Sequence, residues 1–337
     1  MERTDKKKWI RSTLAHEECS RVPYHFLFTP PALAKLKAYY HTEDVARALD
    51  FPIFLHGCND KPLYADPAVY GDTITDPYGV VWTTNAIDRG VPIGPSIREP
   101  SMQGVRFPDP EDPKRYEGVQ EAFVSHGECF LMASIGDLWE RVTFLRGMEA
   151  ALYDVALNRA FLEALLERIM EYDLATMHNL ARYGVDAIFL SDDYGTQKDL
   201  VMSPADWRHF VRPRLKRIFE EARSLGLVTL LHSCGNVRKI VPDLIEIGLD
   251  VLHPIQPEAM DIFELKRTFG ADLTFQGGIS TQDLLPYGSP DAVSEAVTRT
   301  LGFMARSGGY ILESGISIQA DVPLENMLAM FECVGAG

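Results

Sequence analysis

The chain has 337 residues, of which 46% are hydrophobic and 24% are charged. This composition is typical of a folded globular protein and excludes an intrinsically disordered one. The 33 basic and 48 acidic residues give a formal net charge of −15, which argues against nucleic acid as a partner because an acidic protein repels phosphate backbones.

The sequence shows no sign of export or membrane insertion. Its first residues, MERTDKKKWIRSTL, are charged and lack the apolar core of a signal peptide, and no run of about 18 apolar residues follows that could span a bilayer. The five cysteines form no CxxC pair, so a disulfide framework is not expected. We therefore expect a cytoplasmic protein that does not bind membranes.

The first third of the chain predicts short elements around a long irregular segment. Residues 1–20 are typical of a polar leading helix, residues 22–28 (VPYHFLF) of a strand, and residues 31–40 and 43–50 of helices. Residues 51–125 are rich in Pro and Gly and show little helical periodicity. Because irregular segments of this length are usually functional, we expect an insertion here that shapes a substrate pocket.

From residue 127 onward, apolar runs alternate with amphipathic helices. The runs lie at 129–135, 186–191, 227–233, 250–255, 272–278 and 309–315. The helices between them are predicted at 137–156, 158–183, 204–224, 237–247, 260–269 and 290–307. Continuous apolar strands separated by helices indicate a parallel sheet that is covered on both faces.

The number of predicted strands favours an α/β fold that closes into a barrel. Residues 22–28 and one strand from 51–58 bring the count to about eight strand–helix units, as in a (β/α)8 TIM barrel. A Gly-rich dinucleotide fingerprint is absent, which argues against an open doubly wound sheet. We expect one barrel domain over residues 1–337, with an irregular insertion at 51–125 within it.

Polar residues follow nearly every predicted strand. Because TIM barrels carry their chemistry at the carboxyl ends of the strands, these residues form the candidate site. They lie at 191–195 (SDDYG), 232–235 (HSCG), 253–256 (HPIQ), 276–278 (QGG) and 313–315 (ESG).

His232 and Cys234 are the strongest local signal for a metal. Side chains two apart on a strand share a face, so an imidazole and a thiol would meet at the barrel mouth and suit zinc. A catalytic zinc needs a third protein ligand, for which Glu313 and His253 are candidates, with Asp193 behind them. The alternative is that Cys234 is a small packing residue and His232 a hydrogen-bonded core histidine.

Asp192 and Asp193 are candidate catalytic acids. Adjacent acids at a strand end can orient a base, bind a cation or cap the next helix. Ser203 and Pro204 already provide an N-cap and a first-turn proline for the helix at 204–224, so we interpret the two acids as free of that task.

Five further side chains are candidate substrate-binding residues, each with a structural alternative. The glutamines could donate hydrogen bonds to a ligand, or instead form hydrogen bonds with polar groups of nearby loops. The tyrosine could belong to an aromatic wall of the site. The histidine could instead be a core residue. These residues are Tyr194, Gln197, Gln256, Gln276 and His25.

Several segments together resemble the uroporphyrinogen decarboxylase and cobalamin-dependent methyltransferase superfamily. The segments are SDDYGTQKDLVMSPADWRHFVRPRLKRI (191–218), HSCGNVRKIVPDLIEIGLDVLHPIQPEAMDIFELKRTFG (232–270), LTFQGGISTQDLLPYGSPDAV (273–293) and GGYILESGISIQADVPLENMLAMFE (308–332). The resemblance covers roughly residues 140–335 and implies a (β/α)8 barrel, in agreement with the strand count.

The resemblance separates two activities. Uroporphyrinogen decarboxylases carry an RQAGR motif after the first strand, whose arginines hold the carboxylates of the tetrapyrrole. The corresponding stretch here is RVPYHFLFTPPALAKLK (21–37), and no arginine follows Arg21 before Arg47. Decarboxylation of a tetrapyrrole or another polycarboxylate is therefore the alternative expectation.

The methyltransferase branch holds zinc with a His-x-Cys pair and a distant cysteine. His232 and Cys234 match the pair, whereas the distant cysteine would fall near Ile316 and is missing, so that Glu313 or His253 would replace it. The resemblance then implies methyl transfer between a small methylated substrate, such as a methoxylated aromatic, and a corrinoid. No DxHxxG motif is present, which indicates a corrinoid on a separate protein. Family members often pair, so a homodimer is possible; a non-catalytic ligand-binding barrel is the second alternative.

Overall fold

Seven parallel strands form the central sheet of the protein, whose computed structural model describes residues 5–58 and 61–335. In chain order the strands of the molecule are β1 (Ile53–Gly57), β2 (Thr73–Thr75), β3 (Val81–Thr83), β4 (Pro92–Gly94), β5 (Phe130–Gly136), β6 (Ala187–Ser191), β7 (Val228–His232), β8 (Val251–Ile255), β9 (Thr274–Ile279) and β10 (Tyr310–Ser314). The central sheet has the order β1-β5-β6-β7-β8-β9-β10. All six apolar runs predicted after residue 127 are strands of it.

The register of the central sheet places polar residues side by side at its carboxyl edge. Ser191 lies opposite His232, and His232 lies opposite His253. Every residue of β8, β9 and β10 is buried, including the polar His253, Gln276 and Glu313, as expected for strands that are covered on both faces.

Residues 22–28 differ from the predicted strand. They contact β10 through two isolated parallel bridges, Tyr24 with Leu312 and Phe28 with Ile318. Between this segment and β1, residues 5–58 and 61–335 show no bridge. The structure therefore shows an α/β fold with a curled seven-stranded parallel sheet, and closure into a full (β/α)8 barrel stays a prediction.

Fifteen α-helices lie in the described part of the chain. They are α1 (Lys6–Leu14), α2 (Pro30–Tyr40), α3 (Val45–Ala48), α4 (Pro67–Tyr70), α5 (Val119–Ser125), α6 (Trp139–Arg146), α7 (Met148–Leu157), α8 (Arg159–Ala181), α9 (Pro204–Phe210), α10 (Arg212–Ser224), α11 (Val241–Glu246), α12 (Ile262–Phe269), α13 (Leu284–Tyr287), α14 (Pro290–Met304) and α15 (Leu324–Val334). Among these helices, none combines the length and the apolar character required to cross a membrane.

Two helices predicted as continuous are interrupted. The helix predicted at 137–156 is divided into α6 and α7 at Gly147, whose φ of +82° is incompatible with a right-handed helix. The helix predicted at 204–224 is divided into α9 and α10 at Val211, because Pro213 in the first turn of α10 has no N–H to continue the ladder.

The leading helix is shorter than predicted and lies at the amino end of the sheet. Asp5 caps α1, and both Lys7 and Arg11 contact the carboxylate of Asp186, just before β6, at 2.7 Å. Residues 1–4 of the predicted helix lie outside the described residues. Because α1 covers the amino end, the opposite, carboxyl end is available for a site.

The segment at 51–125 is more regular than expected. It contributes β1 to the central sheet and forms a small antiparallel sheet in the order β2-β3-β4, with Trp82 fully buried. The indole N–H of Trp82 donates to the carboxylate of Asp76 at 2.9 Å, which anchors the small sheet internally. Residues 59–60 of this segment lie outside the described part, and its assignment as an insertion in a single domain stays a prediction.

Candidate metal and substrate site

Two glycines bring the loops after β6 and β7 into backbone contact. A Cβ atom on Gly235 would lie 2.4 Å from the carbonyl carbon of Gly195, and a Cβ on Gly195 would lie 2.6 Å from the amide nitrogen of Asn236. That amide N–H donates to the carbonyl oxygen of Thr196 at 2.7 Å. The loops therefore lie side by side only because both positions lack side chains.

Asp193, His232 and Cys234 meet where these two loops touch. The Sγ of Cys234 lies 3.4 Å from the Nε2 of His232, which lies 3.6 Å from the Oδ1 of Asp193. The amide N–H of Cys234 donates to the same Oδ1 at 2.8 Å and fixes the carboxylate. Among the described residues, these three form the one group of metal-ligand type whose ligand atoms all lie within 4.8 Å of one another.

The spacing of the three atoms suits a zinc ion. Zinc–ligand distances of about 2.0–2.3 Å with tetrahedral angles place neighbouring ligand atoms roughly 3.3–3.6 Å apart. The 3.4 and 3.6 Å separations agree with this geometry. The side chains of His232 and Asp193 are 19% and 39% exposed, so an ion could enter from solvent.

The electrostatic environment keeps the imidazole neutral and the thiol protonated. Burial, with a smaller effect from His253, lowers the pKa of His232 to about 3. Burial, followed by the carboxylate of Asp193, raises the pKa of Cys234 well above its ordinary value. A neutral imidazole is ready to bind a metal, whereas the thiol must lose its proton when it does.

His253 and Glu313, the third ligands suggested by the sequence, lie outside the three-residue group. The Nδ1 of His253 contacts the Nδ1 of His232 at 3.0 Å, on the side of the ring that faces away from Cys234. The Nε2 of His253 lies 3.3 Å from Glu313, whose carboxylate also accepts from Gln276 and lies 3.5 Å from His25. Burial alone would raise the pKa of Glu313, but the two imidazoles lower it well below its ordinary value. The structure thus favours Asp193 over Glu313 and His253 as the third ligand.

Asp192 has a capping role that the sequence did not indicate. Its carboxylate accepts from the amides of Leu138, Trp139 and Glu140 at 3.2, 2.8 and 2.5 Å, at the beginning of α6, and also from the hydroxyl of Tyr194. Burial raises the pKa of Asp192 to about 7, against the opposing effect of these hydrogen bonds. As interpreted from the sequence, Ser203 caps α9 and both acids are free of that task, but Asp192 caps the earlier helix α6 instead. The catalytic roles of Asp192 and Asp193 stay predictions.

The other candidate substrate-binding residues are dispersed. Gln256 is buried and accepts from the amide of Gly235 at 2.5 Å, which supports the loop that carries Cys234. Gln276 and His25 are buried around Glu313, whereas Gln197 is exposed. Tyr194 is buried against Trp207. Their assignment to substrate binding stays a prediction.

A basic cavity beside the three-residue group was missed by sequence reasoning. It has a volume of about 210 Å³, and its lining includes Lys61, Arg89, Arg141 and Phe189. The ring centroid of Phe189 lies 5.9 Å from that of His232. Of the three basic residues, only Arg141 has a local sequence signal, because its ion-pair partner Asp137 lies four residues before it, just ahead of α6. Lys61 and Arg89 reach the cavity from the segment at 51–125, which has no readable periodicity.

The comparison with known families identifies the chain. The sequence pattern described as Uroporphyrinogen decarboxylase (URO-D) matches residues 93–336. The protein belongs to the uroporphyrinogen decarboxylase family. The match begins earlier than the resemblance at 140–335 and includes most of β4 and the later part of the segment at 51–125.

The relatives of this URO-D family protein include methyltransferases as well as decarboxylases. It is 24% identical over 276 residues to a methylated-thiol–coenzyme M methyltransferase of Methanosarcina mazei, and 28% identical over 169 residues to the methylcobamide:CoM methyltransferase MtaA of Methanosarcina barkeri. These alignments cover 81% and 50% of this chain, and 66% and 47% of the relatives. A uroporphyrinogen decarboxylase of Hordeum vulgare is 26% identical over 182 residues, which cover 51% of this chain and 52% of that protein.

A solved structure shares the fold of this URO-D family protein over nearly its whole length. A methyltransferase from Methanosarcina mazei aligns with a TM-score of 0.76 and 19% identity, covering 99% of each chain. At this identity the match shows the common fold and leaves the activity to be argued from the site.

Proposed function

We propose that the protein is a zinc-dependent methyltransferase that moves a methyl group between a small methylated substrate and a corrinoid carried by a separate protein. The observation that carries the proposal is the group Asp193, His232 and Cys234 at the carboxyl end of the sheet. The names of two relatives, a methylated-thiol–coenzyme M methyltransferase and a methylcobamide:CoM methyltransferase, support it.

The three residues would hold the ion through the Sγ of Cys234, the Nε2 of His232 and an oxygen of Asp193. When bound, zinc supplies a Lewis acid that polarises the heteroatom bearing the methyl group. Three protein ligands leave a fourth position for the substrate, as catalytic zinc sites do. In transfer toward the corrinoid, the heteroatom would keep the electron pair of its bond to the methyl group, and a Co(I) corrinoid on the partner would supply the pair for the new bond.

The cavity restricts the substrate to a small molecule. Its volume of about 210 Å³, as lined by the described residues, lies below the ~300–1,000 Å³ typical of pockets for drug-sized ligands. Arg89 is paired with Glu140 at 3.1 Å but remains 44% exposed, so its guanidinium can reach an acidic substituent. A methoxylated aromatic with a carboxylate fits this combination, with its ring against Phe189.

Metal analysis of purified protein tests the metal site. We expect about one zinc per chain in the wild type and near-zero zinc in His232→Ala and Cys234→Ala. Cys19→Ala, which removes a thiol distant from the site in sequence and fold, is the matched control and should keep its zinc. Equal zinc contents in the wild type and the two site variants would exclude the metal mechanism.

An activity assay tests the transfer itself. The protein is mixed with a reduced corrinoid protein and candidate methyl donors, and methylcobalamin formation is followed by absorbance. We expect formation with the wild type, and a loss of at least about 100-fold with Cys234→Ala because Lewis-acid activation is removed. Binding of donors with no turnover by any corrinoid would indicate a non-catalytic ligand-binding protein.

Decarboxylation of a tetrapyrrole is less well supported, although the family carries that name. Residues 21–37 offer only Arg21 as an arginine, and its guanidinium donates to the carbonyl oxygens of Val334 and Gly335. That arginine is therefore engaged away from any substrate. Release of CO2 from uroporphyrinogen by the purified protein would favour this alternative.

A further inference from the structure

We propose that His253 and Glu313 are positioning residues that orient His232 for metal binding. They extend from His232 as a chain of contacts, here called the histidine–glutamate chain (His232, His253 and Glu313). This inference rests on the metal site of the proposed function, and it assigns to both residues a role other than the ligand role that the sequence suggested.

The first link fixes which nitrogen of His232 carries a proton. The two Nδ1 atoms of His232 and His253 lie 3.0 Å apart, so one of them must donate to the other. A neutral imidazole has a single N–H, and a ring that binds a metal through Nε2 carries that hydrogen on Nδ1. His232 therefore donates from Nδ1, and the Nδ1 of His253 accepts.

The second link fixes the direction of the chain. Because the Nδ1 of His253 accepts, its hydrogen lies on Nε2, which is 3.3 Å from an oxygen of Glu313. If a neutral His253 instead carried its hydrogen on Nδ1, the lone pair of its Nε2 would face the carboxylate of Glu313, so the hydrogen bonds run from His232 to Glu313. The opposite arrangement would place the hydrogen of His232 on Nε2 and block the metal.

The surroundings of Glu313 keep its carboxylate in place. Glu313 is 2% exposed, Gln276 of the neighbouring strand β9 donates to its Oε2, and the Nδ1 of His25 lies 3.5 Å from its Oε1. A buried carboxylate requires such partners. Its two oxygens are thus directed at groups other than the site of Asp193, His232 and Cys234, as expected for a residue that acts through His232.

The metal-free wild-type protein provides a direct test of where the hydrogens lie. In metal-free protein with ¹⁵N-labelled histidine, NMR reports which ring nitrogen carries hydrogen. We expect His232 to be the Nδ1–H tautomer and His253 the Nε2–H tautomer, with assignments from single His→Gln variants. An Nε2–H tautomer of His232 would overturn the proposal.

Metal affinity tests the consequence for binding. Glu313→Ala removes the acceptor and should weaken zinc binding about 10- to 100-fold, the usual effect of losing such a partner. Glu313→Gln keeps a carbonyl oxygen as acceptor and should restore most of the affinity. In both variants the thiolate–cobalt absorption of the Co(II)-substituted protein should stay unchanged because the ligands are the same.

A control variant separates a positioning role from a general loss of stability. Asp154→Asn removes a buried carboxylate paired with Arg146 at 2.7 Å, so it should lower stability without changing zinc affinity. The proposal would be overturned if Glu313→Ala left the zinc affinity unchanged. It would also be overturned if Glu313→Ala changed the Co(II) spectrum and lost as much zinc affinity as His232→Ala. If the wild type binds neither metal, the proposed function fails, whereas the NMR result still decides the direction of the chain.

Discussion

Two missing side chains, at Gly195 and Gly235, determine where the thiol of Cys234 lies. Gly235 has a φ of +80°, and its backbone is pressed against the loop after β6. Gly226 has a similar φ of +74°, but nothing lies within 4 Å of the position that its Cβ would occupy. Gly226 and Gly235 therefore require the same left-handed backbone conformation but differ in the space around them.

Substitution of Gly226 and Gly235 should separate the effect of backbone strain from the effect of a steric clash between the two loops. Both Gly226→Ala and Gly235→Ala require a left-handed residue, at a cost of about 1 kcal/mol of stability. Only Gly235→Ala should also push apart the loops that carry Asp193 and Cys234. We expect its zinc affinity to fall at least about 10-fold, as for lost positioning partners, while Gly226→Ala retains wild-type affinity. Titration with a zinc chelator measures both; equal affinities would contradict the steric explanation.

At this scale the sequence predicted the pair of residues in the candidate site but ranked its third member, Asp193, behind Glu313 and His253. Strand alternation predicted that His232 and Cys234 would share a face, and their ligand atoms do lie 3.4 Å apart, although β7 ends at His232 and Cys234 lies in the loop that follows it. Asp193 follows the end of β6, and its position depends on the glycine contact between two loops. A contact of this kind connects residues about 40 positions apart and leaves no local pattern.

At the scale of elements, α6 begins with a cap supplied from another strand. Three amides at its beginning donate to the buried carboxylate of Asp192, which follows β6. A local sequence pattern indicates a cap only close to the helix that it serves, so a cap more than 50 residues away leaves no such signal. The interruption at Gly147 was missed because an isolated glycine does not by itself end a helical pattern.

Removal of this cap should be unusually costly. Asp192→Ala leaves buried amides of α6 without an acceptor, so we expect the free energy of unfolding to fall by about 3 kcal/mol. Ser289→Ala removes an ordinary cap, which accepts from the amide of Ala292 at 3.2 Å, and should cost about 1 kcal/mol. Urea unfolding of both variants measures the difference, and equal losses would show that the distant cap has no special importance.

At the scale of the whole molecule, a buried ion network joins the segment at 51–125 to α6. Lys61 contacts Asp137 at 2.7 Å and Glu140 at 2.5 Å, and Arg141 donates to Asp137 at 2.8 Å. Burial alone would raise the pKa of Asp137, but Arg141 and Lys61 together lower it below its ordinary value. The basic cavity thus has walls from two distant parts of the chain, a combination that composition and net charge could not predict.

This network predicts a particular pH dependence of stability. Because the folded-state pKa of Asp137 is lowered, its stabilisation is complete above the ordinary value of about 3.9 and is lost as the pH falls through the folded-state pKa. Asp137→Asn should therefore cost about 3 kcal/mol at neutral pH, and less below about pH 4. Asp199→Asn, which breaks a surface pair with Lys239, should change little at either pH. A cost for Asp137→Asn that is independent of pH would contradict this account.

On the side away from β5, β1 has no hydrogen-bonded neighbouring strand among the described residues, which makes this part of the central sheet different from the rest. Rings around Phe51, including Phe26 at 6.0 Å and His25 at 5.6 Å, and a cavity of about 460 Å³ occupy the space where main-chain bridges to residues 22–28 would lie. Contacts between rings separate more easily than a series of main-chain hydrogen bonds. Local opening of the structure should therefore begin between β1 and residues 22–28. We expect amides of β1 to exchange with deuterium before those of β6, which is flanked by β5 and β7. Equal protection of β1 and β6 from exchange would show that the contact between β1 and residues 22–28 is as stable as a hydrogen-bonded pair of strands.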